Sequence, residues 1–553
     1  MAALPVDLLH LLSDQIANEQ DFATLYSCVA SSRHFAEAGA VAALYRACHE
    51  SPVKGGGNEG LPLPVQELNV QKWSILWRTI ILSALGKTAF PYCRYLRFLD
   101  LRDLGYLLED DKFRGQIASH FFKDDLARFH FTIRGIGKAR IVRLDRPKII
   151  HAIADEITQH APMLEAISEP TGLDVLSTAL LTWAPRLEHL QRLDLFDGRA
   201  FADDQLRNLL HAHCPNLAML KIYRSSSTEA DHALATFIGG MPENKLTYFE
   251  NHGDCGIGAE TCLAMNSHSK SLKHLKLGLS EDGVLALGLL QGCTALRTLA
   301  VSSDRVSVDL KATQNDTYLE IVEWLRNCVS LKDVSFHNII SAPDLVTPVL
   351  LNKGVTLEEL DINATKEDAM YVVKDHHDFH RALSEQPTLR RLHLRADPDT
   401  MARDDIDVLM TSLCSLAGLR ELRLTRITDY FTDEHISLLA QHLPDLEELT
   451  IGGYGISDAV FAAISTLTNL KAVTFSGVTT FTTEGIMEYI DKLGPGNTGL
   501  VLSVDMADQD TAIASDEQDL LRELIAAKVD GRFDYQLLRD PNVPEFDASD
   551  DSD

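Results

Sequence analysis

The sequence predicts an α/β solenoid, a curved parallel sheet of short strands, one per repeat, with helices along its outer side. Three observations carry this. A Leu-x-x-Leu-x-Leu pattern, with other apolar residues substituting, returns eleven times, as LQRLDL from Leu190, LAMLKI from Leu217, LTYFEN from Leu246, LKHLKL from Leu272, LRTLAV from Leu296, LKDVSF from Leu331, LEELDI from Leu357, LRRLHL from Leu389, LRELRL from Leu419, LEELTI from Leu446 and LKAVTF from Leu470. Between copies lie stretches of helical spacing, such as DDQLRNLLHAHC (203–214), NDTYLEIVEWLRNC (315–328) and TDEHISLLAQHL (432–443), with Asp203, Asp316 and Thr432 at expected N-caps. Finally, 553 residues exceed what one compact core organises. A single strand–helix unit cannot bury both its strand leucines and its helix face, whereas stacked neighbours do.

Taken in order, residues 1–50 hold no repeat. Leu8, Leu9, Leu12 and Ile16 form one helical pattern, and Phe22, Leu25, Cys28 and Val29 a second. Residues 51–67, rich in Gly and Pro, read as a linker. Residues 68–189 read as a divergent N-terminal cap with early repeats at YLRFLDL (95–101) and LARFHFT (126–132). The main array covers 190–505 and closes on a last strand, GLVLSVD (499–505). Residues 506–540 supply a closing helix, DEQDLLRELIAAKV (516–529), and 541–553 an acidic disordered tail.

Composition narrows the function. Eighty acidic residues against 51 Lys+Arg give a net charge of −29, which repels nucleic acid and anionic lipid. No apolar stretch is long and uncharged enough to span a membrane, and residues 1–15 lack the basic start of a secretory signal. Nine cysteines without CxxC or metal spacing fit a reduced intracellular chain, cytoplasmic and/or nuclear.

The repeats resemble the leucine-rich-repeat family. Cys214, Cys293 and Cys328 each stand three residues before a first leucine, which resembles the cysteine-containing subtype and places a small apolar plug there. The N-terminal block, Leu4-Pro5-Val6-Asp7-Leu8-Leu9 with Asp21-Phe22, Leu25 and Cys28-Val29, resembles an F-box, with the Val-Cys pair reversed. The combination is similar to filamentous-fungal F-box/leucine-rich-repeat proteins. That resemblance implies a substrate adaptor of an SCF-type ubiquitin ligase, with Leu4, Pro5, Leu8, Leu9, Leu12, Ile16, Leu25, Cys28 and Val29 binding a Skp-type linker and, through it, the cullin complex. The alternative is that these helices fold back and cap the array. The chain would then be a scaffold or inhibitor that clasps a basic partner, with no link to ubiquitin.

A target would meet the concave strand face, where alternate residues point away from the leucine core. Phe196, Tyr223 and Tyr248, with Lys221 and His252, form a candidate aromatic anchor or a buttress against the N-terminal cap. Arg391, His393, Arg395 and Arg423 form a basic spot suited to an acidic or phosphorylated segment, unless Glu359, Asp361, Glu421 and Glu448 on neighbouring strands pair with them. Nothing recommends catalysis. GGGNEG (55–60) lacks the strand before and helix after that a dinucleotide turn needs, and Gly86-Lys87-Thr88 has Ile81 where a phosphate loop needs glycine. His376 and His380 stand one helical turn apart without a third metal ligand, which favours a solvated helix face. No cofactor is expected.

Overall fold

The computed structural model describes residues 5–46, 61–134, 142–225, 229–253, 255–303, 308–398 and 403–538. Leu4, the GGGNEG segment and the acidic tail lie outside them. The chain divides into two compact units, Met1–Ser271 and Leu272–Asp553.

In the first unit five parallel strands lie side by side in chain order: Phe98–Asp100, Ala166–Ser168, Arg192–Asp197, Met219–Arg224 and Tyr248–Asn251. They are in register, so Leu99, Ile167, Leu193, Leu220 and Phe249 stack as one core row. In the second unit ten strands repeat the arrangement: His274–Leu279, Thr298–Ser303, Asp333–His337, Glu359–Asn363, Arg391–Asp397, Glu421–Thr425, Glu448–Ile451, Ala472–Thr479, Val501–Ala507 and Arg532–Leu537. Each pairs in parallel with the next. All eleven predicted copies are strands, and the first leucine of each is at most 4% exposed. The leucine-rich-repeat fold class therefore holds in both units. Each fully buried leucine stabilises its repeat by about 1.5–3 kcal/mol.

Helix caps follow the sequence in two of three places. Asp203 accepts the Gln205 and Leu206 N–H groups ahead of helix Asp204–His213, and the Thr432 N–H donates to His435 Nδ1 ahead of helix Asp433–His442. Asp316 is not a cap. Helix Asn315–Asn327 starts one residue earlier, which leaves Asp316 in its first turn, where a carboxylate faces the positive end of the helix dipole. Cys214, Cys293 and Cys328 are buried at the predicted plug position, and burial pushes each thiol up to about 12.

Three expectations are corrected. LARFHFT is not a repeat strand: its residues form a 3-10 turn, Asp124–Phe129, leading into strand Thr132–Arg134, which pairs antiparallel with Val142–Leu144. The early repeat is instead LEAISE (164–169), where Glu169 occupies the place of the third leucine and is 1% exposed. Residues 499–505 are not the last strand, because helix Ser515–Val529 is followed by Arg532–Leu537, paired to Val501–Ala507. The predicted linker also gives way early. Helix Leu63–Ala84 begins inside it, with Pro64 in the first turn, where a missing N–H costs no bond. Trp73 and Trp77 on this helix both donate to Asp103 Oδ2, at 2.6 and 2.8 Å.

Candidate functional site

Residues 5–46 form a helical module, Val6–Asn18, Phe22–Ser31 and Val41–Arg46, the last preceded by a helical turn, Arg33–Phe35, and a π-helical stretch, Ala36–Ala40. Its core is Leu25, Ala40 and Ala43, against which Ile16, Ala17, Cys28, Val29 and Leu44 pack. Leu9 is also buried. Leu9 and Leu25 thus build the module, and the expectation that they meet a partner is corrected, while Ile16, Cys28 and Val29 are half-buried against that core. Of the residues expected to meet a partner, Leu8 and Leu12 are exposed, as is Leu11, which the sequence pattern did not single out, and Pro5 is exposed at the helix start. At 100° per residue, Leu8, Leu11 and Leu12 fall on one stripe and Leu9 and Ile16 on another. Leu11 is 66% exposed, as is Tyr26 on the next helix. The opposite end of the module docks through Tyr45, whose ring lies 4.8 Å from Tyr92, and burial together with Tyr92 pushes its phenol up to about 12.

On the strand face of the first unit, one outward row is a continuous polar ladder. Asp100 holds Arg102 through two 3.0 Å hydrogen bonds, and Asp194 receives Arg192 at 2.8 and 2.9 Å and the Ser168 hydroxyl at 2.9 Å. Lys221 Nζ donates to Glu250 at 3.0 Å, and the Tyr248 hydroxyl donates to the same carboxylate. Burial works against the Glu250 charge, but the bonds from Tyr248 and Lys221 hold it below the usual carboxylate range. Asp194 is fully buried and Glu250 nearly so, although alternation predicts outward exposure. The guanidinium and ammonium groups close over them.

The aromatic anchor is rearranged. The next outward row is Phe196, Tyr223 and His252, with ring centroids 6.5 and 5.0 Å apart. Arg224 lies 4.7 Å above the Phe196 ring, Lys221 lies 5.0 Å from that of Tyr223, and Arg102 donates to the Tyr223 hydroxyl at 2.7 Å. Tyr248 belongs to a different row, so His252 takes the place expected for it. His252 Nε2 also lies 2.8 Å from Glu250. A pocket of ≈ 110 Å³ opens beside Tyr223, lined by Asp100, Arg102, Asp103, Tyr106 and Thr171.

On the strand face of the second unit the predicted basic spot is largely neutralised. Arg391 Nε donates to Glu359 at 2.9 Å and Arg423 to Glu448 at 2.7 Å, while His393 stands between Asp361 and Glu421 at 3.9 and 3.5 Å. In-register strands about 4.8 Å apart bring these opposite charges together. Arg395 alone of the four has no acidic partner among the described residues.

The His376 face is buried, not solvated. His376 lies 3.3 Å from Asp344, His377 2.6 Å from Asp405, and His380 3.3 Å from the Tyr371 hydroxyl. His376 and His380 have separate partners, and among the described residues no group of three or more His, Cys, Asp or Glu is placed to hold a metal. Burial, then the charges of His376 and His377, lower the His380 pKa to about 3. The unfolded chain therefore binds a proton below ~6.5 that native His380 refuses, and stability falls by about 1.4 kcal/mol per pH unit below that point. The His376 pKa is raised despite burial, through Asp344, so its contribution is complete below 6.5 and fades above it. Urea unfolding at pH 6.5 and 5.0 is expected to show this loss, with a flatter slope in His380→Gln. An unchanged slope in that variant would refute the assignment.

No helix among the described residues is long and apolar enough to cross a membrane. No protein-family model matches the chain, and no curated protein matches its sequence. Among solved structures, a chain of the yeast Rad7 and Elc1 complex is 14% identical, covering 63% of this chain and 78% of its own, with a TM-score of 0.37. An internalin (inlF) from Listeria monocytogenes is 15% identical, covering 59% and 78%, with a TM-score of 0.32. The leucine-rich repeat-containing protein LegL7 from Legionella pneumophila is 12% identical, covering 49% and 86%, with a TM-score of 0.31. Likeness of this extent names neither a family nor a partner.

Proposed function

We propose that the chain is a non-catalytic recognition subunit of an SCF-type ubiquitin ligase. Its N-terminal module docks on a Skp-type linker, and through it on the cullin complex, while its strand faces hold a protein target. The observation that carries this reading is the exposed stripe Leu8, Leu11 and Leu12, joined by Tyr26, on a module whose own core is already complete without them. Exposed leucines at helical spacing are what helix-in-groove recognition uses. The mechanism is proximity: holding a lysine-bearing target beside a charged conjugating enzyme raises its effective concentration, and the chemistry belongs to other subunits.

The packing of Tyr45 on Tyr92 favours a second reading, in which the module only caps the repeats and the acidic chain holds a basic partner. The two are separated by pull-down of the full-length chain with the organism's Skp-type linker, beside a Leu8→Asp/Leu12→Asp variant. Both positions are exposed, so the variant keeps its fold, and binding is expected to weaken about 100-fold. Absence of linker binding by the unaltered chain, or equal binding by the variant, would sink the ligase reading.

A further inference from the structure

One outward row in the second unit differs from its neighbours. On four adjoining strands it carries His337, Asn363, Arg395 and Thr425, and no acid. Register places Arg395 beside Thr425, and beside Asn363 one position beyond the Ile362–Leu394 pair, about 4.8 Å per strand. Arg395 Nε is closed off from solvent with no hydrogen-bond acceptor among the described residues. In the rows beneath, the two other arginines, Arg391 and Arg423, are bound to Glu359 and Glu448, and the Asp361 carboxylate stands beside His393. Asn363 uses Oδ1 to accept the Ala364 N–H at 2.8 Å, which leaves its amide nitrogen to donate. A buried Nε–H donor without an acceptor is costly to hold, and in a chain of net charge −29 carboxylates are not scarce. The missing acceptor points to a ligand.

We propose that Arg395 is an anion-recognition residue that receives one carboxylate of an acidic protein segment laid across this strand face, with Asn363 and Thr425 donating beside it. One unpaired guanidinium matches one negative charge. Asp361, Glu421 and Asp397 stand close by on the same face and disfavour the dianion of a phosphorylated residue. The proposal rests on the strand face receiving a protein segment and is independent of linker docking, so a failed pull-down leaves it standing.

The test is saturation-transfer NMR on the full-length protein at low salt, with N-acetyl-glutamate methylamide as probe. Blocked glutamine and blocked O-phosphoserine are the companion probes. Saturation of the glutamate methylenes is expected, with binding about tenfold weaker for glutamine and for Arg395→Met. Arg420→Met, which removes a guanidinium already paired with Glu447, should match the unaltered chain. The Arg395→Met unfolding midpoint should equal or exceed that of the unaltered chain, since the substitution removes an unsatisfied donor, and Arg395→Gln serves as the second variant. Undiminished glutamate binding in both Arg395 variants, or equal binding of glutamine, would overturn the proposal. Tighter binding of phosphoserine would overturn the choice of a carboxylate. A lowered midpoint would make Arg395 a structural residue.

Discussion

An Asp194→Ala variant is expected to lose about 3 kcal/mol of stability in the unit of residues 1–271. The carboxylate is fully buried and accepts two bonds from Arg192 and one from Ser168, with Arg102 Nη2 4.0 Å away. Removing it strands a half-buried guanidinium and a buried hydroxyl, and leaves two like charges facing each other across the vacated space. Asp194→Asn keeps one acceptor oxygen and should lose less. Urea denaturation of both variants checks the order, and a loss below about 1 kcal/mol for alanine would refute the account. Because Arg102 also donates to the Tyr223 hydroxyl, the same change should loosen the Phe196–Tyr223–His252 row.

A Gly477→Ala variant is expected to cost about 2–3 kcal/mol in the second unit, through crowding. A Cβ at this position would lie 2.1 Å from the Gly453 carbonyl oxygen and 2.2 Å from its nitrogen, both backbone atoms that no rotamer change can move. Relief would require shifting residues 452–456, which carry Tyr454 out to 71% exposure, and breaking the 2.9 Å bond from the Val478 N–H to Gly453. Gly455→Ala makes the comparison. Nothing lies within 4 Å of its Cβ position, but its φ of +72° is left-handed, so it should lose only about 1 kcal/mol. Equal losses would show that crowding is not what position 477 enforces.

The repeats were legible because their signal is local. An apolar residue at the first, fourth and sixth positions is enough to bury a strand edge, and eleven copies repeat it. LEAISE escaped because Glu169 holds a leucine's place. Its carboxylate accepts the Leu176 and Phe196 N–H groups at 2.6 and 2.7 Å, the second of these on the next repeat strand, outside the six-residue pattern. The plug position shows the same limit. Cysteine marks it three times, yet Gln386 and Asn497 fill it elsewhere, each bonded to backbone of the preceding repeat.

At the candidate sites the sequence named most of the residues but assigned several of them wrongly. It located the N-terminal helices and the outward-facing strand positions, because helical and strand periods follow from the backbone alone. It did not say which of two adjacent leucine stripes faces inward, since Leu8 and Leu9 are equally apolar and only tertiary packing, which buries Leu9 and sets Ile16 against Leu25, Ala40 and Ala43, chooses between them. Nor did it separate Arg395 from Arg391 and Arg423, because pairing depends on which carboxylate a neighbouring strand brings into register. The sequence by itself determined the repeat, the strand and helix periods and the acidic charge, all set within a few residues. Which side chains are free to meet a partner was decided by tertiary structure, because burial and ion pairing arise between repeats some 25 to 35 residues apart in the chain.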